Sequence, residues 1–278
     1  MLKNILLPAA GAAAGFCCTK AAAKNLKGPH WERTSFSGGS VSLTEGVAAV
    51  GAVLAGNVFS GGKKLRRGAL SATCAAALAG WIDDRCENKF AARGKGFRGH
   101  LGALKNGEIT SGLLKILIIG SGSLCASRII RENGGSRVGR ISDTAVNTVI
   151  TAGMANLLNL FDLRPGRSLK AAAALSVLTL PGRGRGIGSS VLGSAVCLLP
   201  DDLAGKTMLG DLGANALGAS LGVALSASRS RALRLLSLSG ITALTLLSEK
   251  VSFSRVIEDS EILSALDRLG RSDYAPGS

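Results

Sequence analysis

Apolar runs of about 17 to 25 residues recur along the chain, separated by short stretches rich in Lys and Arg. As helical spans they fall at roughly 2–23, 42–61, 66–82, 110–127, 143–161, 168–181, 187–204, 207–227 and 231–248. The sixth is short and fits a tilted or partial span. This pattern predicts an all-α fold: a polytopic integral membrane protein with about nine transmembrane helices. The first run, "MLKNILLPAAGAAAGFCC", reads as a membrane helix rather than a signal peptide, because its apolar stretch is long and further spans follow. Residues 1–248 form the expected membrane domain, and 249–278 a charged cytoplasmic tail. In the tail Val256, Ile257, Ile262, Leu263, Leu266 and Leu269 recur at mostly helical spacing, as in an amphipathic segment lying on a membrane surface.

Composition strengthens this picture. Of 278 residues 46% are hydrophobic and only 4% aromatic, with 38 glycines, a balance suited to membrane helices packed through small side chains. The net charge of +15 would point a soluble protein toward nucleic acid. Here the basic residues occupy loops between apolar runs, with little aromatic interleaving for base stacking. Anionic membrane lipids and phosphate-bearing substrates are therefore the expected partners, and no nucleic acid. The six cysteines form no CxxC pair and mostly lie within apolar runs, so they are expected to be small buried hydrophobes.

If the spans alternate, loops 24–41, 83–109, 162–167, 205–206 and the tail share one side. A small excess of Lys and Arg makes that side cytoplasmic. The first helix agrees, with Lys3 before it and Lys20, Lys24 and Lys27 at or after its end.

Acidic and amide residues gather on this same side. Asp83 and Asp84 close the third segment. Asn156, Asn159 and Asp162 close the fifth, spaced three apart and so forming one polar stripe on a helix. Asp211 opens the eighth, and Glu249 with Lys250 closes the ninth. Each alone has an ordinary explanation: a helix end at water, interhelical hydrogen bonding for the asparagines, an N-cap for Asp211. Together, carboxylates at one membrane face provide the oxygen ligands that Mg²⁺ takes alongside phosphate and water. The loop after Asp84 carries Arg85, Lys89, Arg93, Lys95 and Arg98 among Gly94, Gly96 and Gly99, a composition suited to holding phosphate.

The ordered stretches "IDDR", "KGFRGHLGAL", "NLLNLFD" and "MLGDLGANALG" resemble the polyprenyl-phosphate sugar-1-phosphate transferases, glycosyltransferase family 4. This membrane family includes the phospho-MurNAc-pentapeptide translocase and the phospho-GlcNAc transferases. The resemblance runs from the first loop to about residue 225. It implies transfer of a sugar-1-phosphate from a UDP-sugar to a polyprenyl phosphate such as undecaprenyl phosphate. UMP is released, Mg²⁺ (or Mn²⁺) is required, and the site faces the cytoplasm of a multi-pass cell-membrane enzyme that serves cell-wall biogenesis. A homodimer is an allowed assembly. Asp83 and Asp84 resemble the family's acid pair, with Asp84 expected to activate the acceptor phosphate. Asn156, Asn159 and Asp162 match its NxxNxxD motif, with Asp162 grouped with the acid pair as catalytic. Asp211 matches its metal-binding acid. Lys95, Arg98, Asn156, Asn159 and Lys170 are the substrate-binding candidates.

The chain departs from the family in two places. After Asp162 it reads "LRPGRSLK", so a second acid is absent and Arg164, Arg167 and Lys170 occupy its neighbourhood. The His-rich loop after the ninth segment is replaced by "SEKVSFSRVIE", and a tenth segment is missing. Two alternatives therefore stand beside the transferase: an altered homologue that binds the lipid carrier without turning it over, and a membrane transporter using its acids to couple ions.

Overall fold

The structure, a computed structural model, describes residues 2–35, 38–86, 110–132 and 136–271. It is mostly helical (77%), with 11 α-helices among the described residues. They are α1 (Lys3–Ala23), α2 (Thr44–Val58), α3 (Lys63–Cys86), α4 (Ser111–Ile130), α5 (Arg137–Phe161), α6 (Arg167–Val177), α7 (Arg185–Leu203), α8 (Gly210–Ser226), α9 (Arg231–Ser248), α10 (Phe253–Glu258) and α11 (Glu261–Arg268). Helices α1 to α9 coincide in order with the apolar runs, so the hydrophobic pattern located each of them to within a few residues. Two, Lys3–Ala23 and Ser111–Ile130, are long and apolar enough to cross a membrane.

Local chemistry sets several helix starts. Thr110 caps α4 by accepting from Leu113 N (3.2 Å), and Ser136 caps α5 by accepting from Gly139 N (3.1 Å). Ser230 and Ser260 do the same for α9 and α11. Each satisfies a backbone donor that the first helical turn leaves open.

The core is organised around α8. Nearly every residue from Gly210 to Ser226 is buried, including Asn215 and Ser220. Helices α3 and α5 make its most extensive contacts, with α2 and α7 completing the surround. Small residues permit this. A Cβ added at Gly218 would lie 2.5 Å from the Met154 carbonyl and 2.6 Å from Ala155 Cα, and one at Gly222 would lie 2.6 Å from Thr151 Cα. The two helix backbones therefore touch directly, the packing mode expected of helices rich in Gly and Ala. Inside this core Asn57 on α2 donates to Ser220 (3.0 Å), so the buried amide is not left unsatisfied.

Two features were not legible in the pattern. The first loop contains an antiparallel hairpin, β1 (Glu32–Thr34) and β2 (Ser40–Ser42), with Arg33 opposite Val41. Ser42 exchanges backbone hydrogen bonds with the segment just before α8, donating to Lys206 O (3.3 Å) and accepting from Met208 N (3.0 Å). The hairpin is thereby fixed beside the start of the central helix. Second, the cysteines are not buried as expected: Cys17, Cys18, Cys74 and Cys125 are exposed and Cys197 is half-buried. They lie on the outward faces of their helices.

Replacing Gly218 with Leu is expected to destabilise the fold by about 1–3 kcal/mol, the usual cost of overpacking a tight core. Thermal unfolding in detergent would record it as a lowered midpoint. An unchanged midpoint would mean that the α5–α8 contact is looser than described.

Candidate active site

Asp84 lies in the last turn of α3 and acts on α8. Its Oδ1 accepts from Asp211 N (3.2 Å) and its Oδ2 from Leu212 N (2.9 Å). These are the open N–H groups of a helix start, where the dipole also favours negative charge. Two glycines allow the approach. Gly80, one turn earlier on α3, sits against the Asp211 carbonyl with no room for a Cβ. Gly210 adopts φ +60°, a left-handed conformation that suits glycine. Arg33, presented by β1, brings Nη2 to 3.6 Å from Asp84 Oδ1.

Asp83 turns to a different partner. Lys115, in the first turns of α4, lies 3.3 Å from Asp83 Oδ2 and forms a close ion pair with Asp211 Oδ2. Asn159 of α5 joins them. With its amide turned to satisfy both neighbours, it donates to Asp211 Oδ1 (2.9 Å) and accepts from Lys115 Nζ (3.1 Å). Side chains from α3, α4, α5 and α8 thus meet at one ammonium. Only 14% of the Lys115 side chain is exposed, so the cluster is sheltered from bulk water.

A cavity of about 720 Å³ opens beside this cluster. Asn159, Asp162, Asp202 and Asp211 line its acidic part, and Arg33, Arg164, Arg268 and Arg271 its basic part. Asp162, at the C-terminal end of α5, is buried with one oxygen, Oδ2, lacking a hydrogen bond. Asp202 accepts from Gly166 N (3.1 Å), tying α7 to the loop that follows Asp162. Glu45 on α2 is buried nearby, and neither of its carboxylate oxygens is hydrogen-bonded.

The acids that follow the expected spans have raised pKa values. Asp83 is pushed up to about 6, first by burial and then by Asp211, against the pull of Lys115. Asp84 is also pushed up to about 6, by burial and the Asp211 charge, with the Leu212 N–H and Arg33 opposing. Burial raises Asp162 well above the carboxylate range, reinforced by the charges of Asp202, Glu45 and Asp211.

The residues singled out in the sequence fare differently. Asp83, Asp84, Asn159, Asp162 and Asp211 come together. Asn156 is half-buried one turn back on α5 and is not among the cavity-lining residues. Lys170 is engaged by the tail, donating to Asp267 O (2.8 Å) and Leu266 O (3.1 Å). Lys95 and Arg98 lie outside the described residues, as do the glycines around them. Lys115, Arg33, Asp202 and Glu45 were missed. For Lys115 a signal existed: a lone lysine inside an apolar segment is costly and calls for a buried acidic partner. Nothing local marked Arg33, whose placement depends on a hairpin that pairs with a distant loop.

The donor set is compatible with a hard divalent cation. Asp83 and Asp211 already converge on one positive charge, and Mg²⁺ is commonly held by one or two carboxylates with substrate phosphates and water. Among the described residues no group of three or more His, Cys, Asp or Glu is arranged to hold a metal ion. No protein-family model matches the chain, and no curated protein matches it.

Lys115→Met leaves Asp83 and Asp211 facing each other without their cation. The expected loss is about 3–5 kcal/mol, as when one partner of a buried pair is removed. Thermal unfolding should then be rescued by millimolar Mg²⁺ in the variant more than in the wild type. Equal Mg²⁺ responses would remove this pair of carboxylates as a cation site.

Proposed function

We propose that the chain is a multi-pass membrane phosphotransferase that moves a sugar-1-phosphate from a UDP-sugar to a polyprenyl phosphate at the cytoplasmic membrane face. One observation carries the reading: Asp83, Asn159 and Asp211, far apart in sequence, share one buried charge cluster, and Asn159, Asp162 and Asp211 border one cavity. Residues from three of the four stretches behind the family resemblance are thus neighbours in space, while the fourth, KGFRGHLGAL, lies outside the described residues. The membrane reading is supported by the outward apolar surface. Leu117, Val149, Val177, Val196, Leu236 and Leu246 are exposed on five different helices, and Ile241 is the one buried residue of α9. So much exposed apolar surface fits lipid better than water.

In this reaction an oxygen of the acceptor phosphate attacks the sugar-bearing phosphorus of the donor. A P–O bond forms there, and the bond from that phosphorus to the UMP oxygen breaks. Phosphoryl transfer depends mainly on positioning and charge neutralisation. Mg²⁺ on Asp211 and Asp83 would neutralise charge on the donor's diphosphate. Lys115 is placed to stabilise the same phosphate oxygens. Asp84 has both oxygens bound to the start of α8, so it acts as a positioning residue that fixes Asp211, rather than as the activator expected from sequence. Asp162 lines the same cavity, and its burial favours the neutral carboxyl, which can donate a hydrogen bond to a phosphate oxygen. Asn159 holds the Asp211 carboxylate in place.

A second reading has one observation in its favour. Lys115 already pairs with both Asp83 and Asp211, as a protein that binds the lipid carrier without needing a metal would require. UMP release from purified protein given UDP-sugars, undecaprenyl phosphate and Mg²⁺ separates the two readings. The transferase should turn over and stop on chelation. Asp211→Asn should abolish the activity and Asp83→Asn should lower kcat by at least about a hundredfold, the scale of a lost electrostatic contact. Near-wild-type release in both variants would refute the site.

The orientation is tested separately. In a background without native cysteines, Lys206→Cys should be labelled by an impermeant thiol reagent from the cytoplasmic side and Arg137→Cys from the opposite side. Labelling of both from one side would break the alternation of spans.

A further inference from the structure

The C-terminal segment packs onto the cavity by specific contacts. Arg167 grips Asp267 with two hydrogen bonds, Nε to Oδ1 (2.8 Å) and Nη2 to Oδ2 (3.1 Å), and its Nη1 donates to Ser254 (3.0 Å). Arg271 binds the same carboxylate (2.9 Å) and the Pro165 carbonyl (3.1 Å). Lys170 holds the last carbonyls of α11, Arg164 pairs with Glu258, and the rings of Phe161 and Phe253 lie 5.2 Å apart. Arg167 and Asp267 are almost fully buried, with side chains 6% and 10% exposed. Helix α11 therefore has two edges. Asp267 faces the protein, while Ile262, Leu263, Leu266 and Leu269 are exposed.

This docking leaves a surplus of positive charge at the cavity. Asp267 is one carboxylate shared by two guanidinium groups. Arg268 lines the cavity, is exposed, and has no ion-pair partner among the described residues. The acidic cluster lines the same cavity through Asn159 and Asp211. A ligand that satisfies both carries phosphate groups and is long enough to reach from one to the other. Cavities of this size commonly take ligands of nucleotide dimensions.

We propose that the docked C-terminal segment is a phosphate-binding element of the site, with Arg268 and Arg271 contacting the diphosphate of the nucleotide-sugar donor and Asp267 and Arg167 positioning them. This rests on the transferase reading for the donor's identity, but not for the anion site itself. The acceptor carries only a single phosphate. A diphosphate has further anionic oxygens to satisfy, and arginine forks are suited to them. The exposed apolar edge of α11 leaves its other side available to the lipid surface.

The test compares wild type with Arg268→Gln, Arg268→Lys and Asp267→Asn, and with Arg255→Gln as a control on the exposed face of α10. UMP release gives KM for donor and acceptor, and titration calorimetry gives the affinity for UDP alone. Arg268→Gln should raise the donor KM and weaken UDP binding by about tenfold or more, the scale of one charge-assisted contact. Arg268→Lys should recover part of the loss, and Asp267→Asn should shift the same two values by releasing the tail. Arg255→Gln should change neither.

Unchanged donor KM and UDP affinity in both Arg268→Gln and Asp267→Asn would overturn the proposal. A change confined to the acceptor KM would also overturn it, by assigning the arginines to the lipid phosphate. If the wild type releases no UMP but binds UDP in an Arg268-dependent way, the anion site stands and the transferase reading falls. If it neither turns over nor shows Arg268-dependent UDP binding, both fall.

Discussion

The bond between Asp84 and the start of α8 is the constraint on which the site depends. A helix buried along its whole length needs its first N–H groups satisfied without water, and here a carboxylate from another helix satisfies two of them. The contact fixes the end of α3 against the start of α8. It also sets where Asp83 and Asp211 point, since each is adjacent to an atom of that junction. Gly80 and Gly210 are required at the same place because the two chains meet backbone to backbone. A neighbouring pair of acids thus divides its work. One member caps the start of α8 and the other pairs with Lys115.

Much of the helical architecture was legible in the sequence because long apolar runs with polar ends have few other solutions. The gathering of Asp83, Asn159, Asp162 and Asp211 was legible through alternation: helices that reverse direction at each loop bring alternate ends to one face. What could not be read was orientation within that face. Asp83 and Asp84 are adjacent in sequence yet point to different partners, and the helical rotation that separates them depends on how α3 seats against α8. Asn156 and Asn159 looked equivalent as members of one stripe, but α5 presents only the second to the cavity. Lys170 looked like a substrate ligand because it follows Asp162 closely, whereas the tail claims its ammonium.

The tail also changes how the departures from the family pattern can be understood. The missing acid after Asp162 leaves Arg164, Arg167 and Lys170 in its neighbourhood, and each of these binds the C-terminal segment. The basic residues that follow Asp162 are thus the docking partners of the C-terminal segment. The residues after α9 lack histidines and bring Arg268 and Arg271 to the cavity.

Lys115 has a consequence for how such a chain is made. As the chain folds, its carboxylates must come together in a poorly hydrated setting, and mutual repulsion would oppose the last steps of helix association. An ammonium built into the chain removes that obstacle during assembly. One of the two carboxylate charges that Lys115 faces is thereby offset from the outset, by a group that is part of the chain itself.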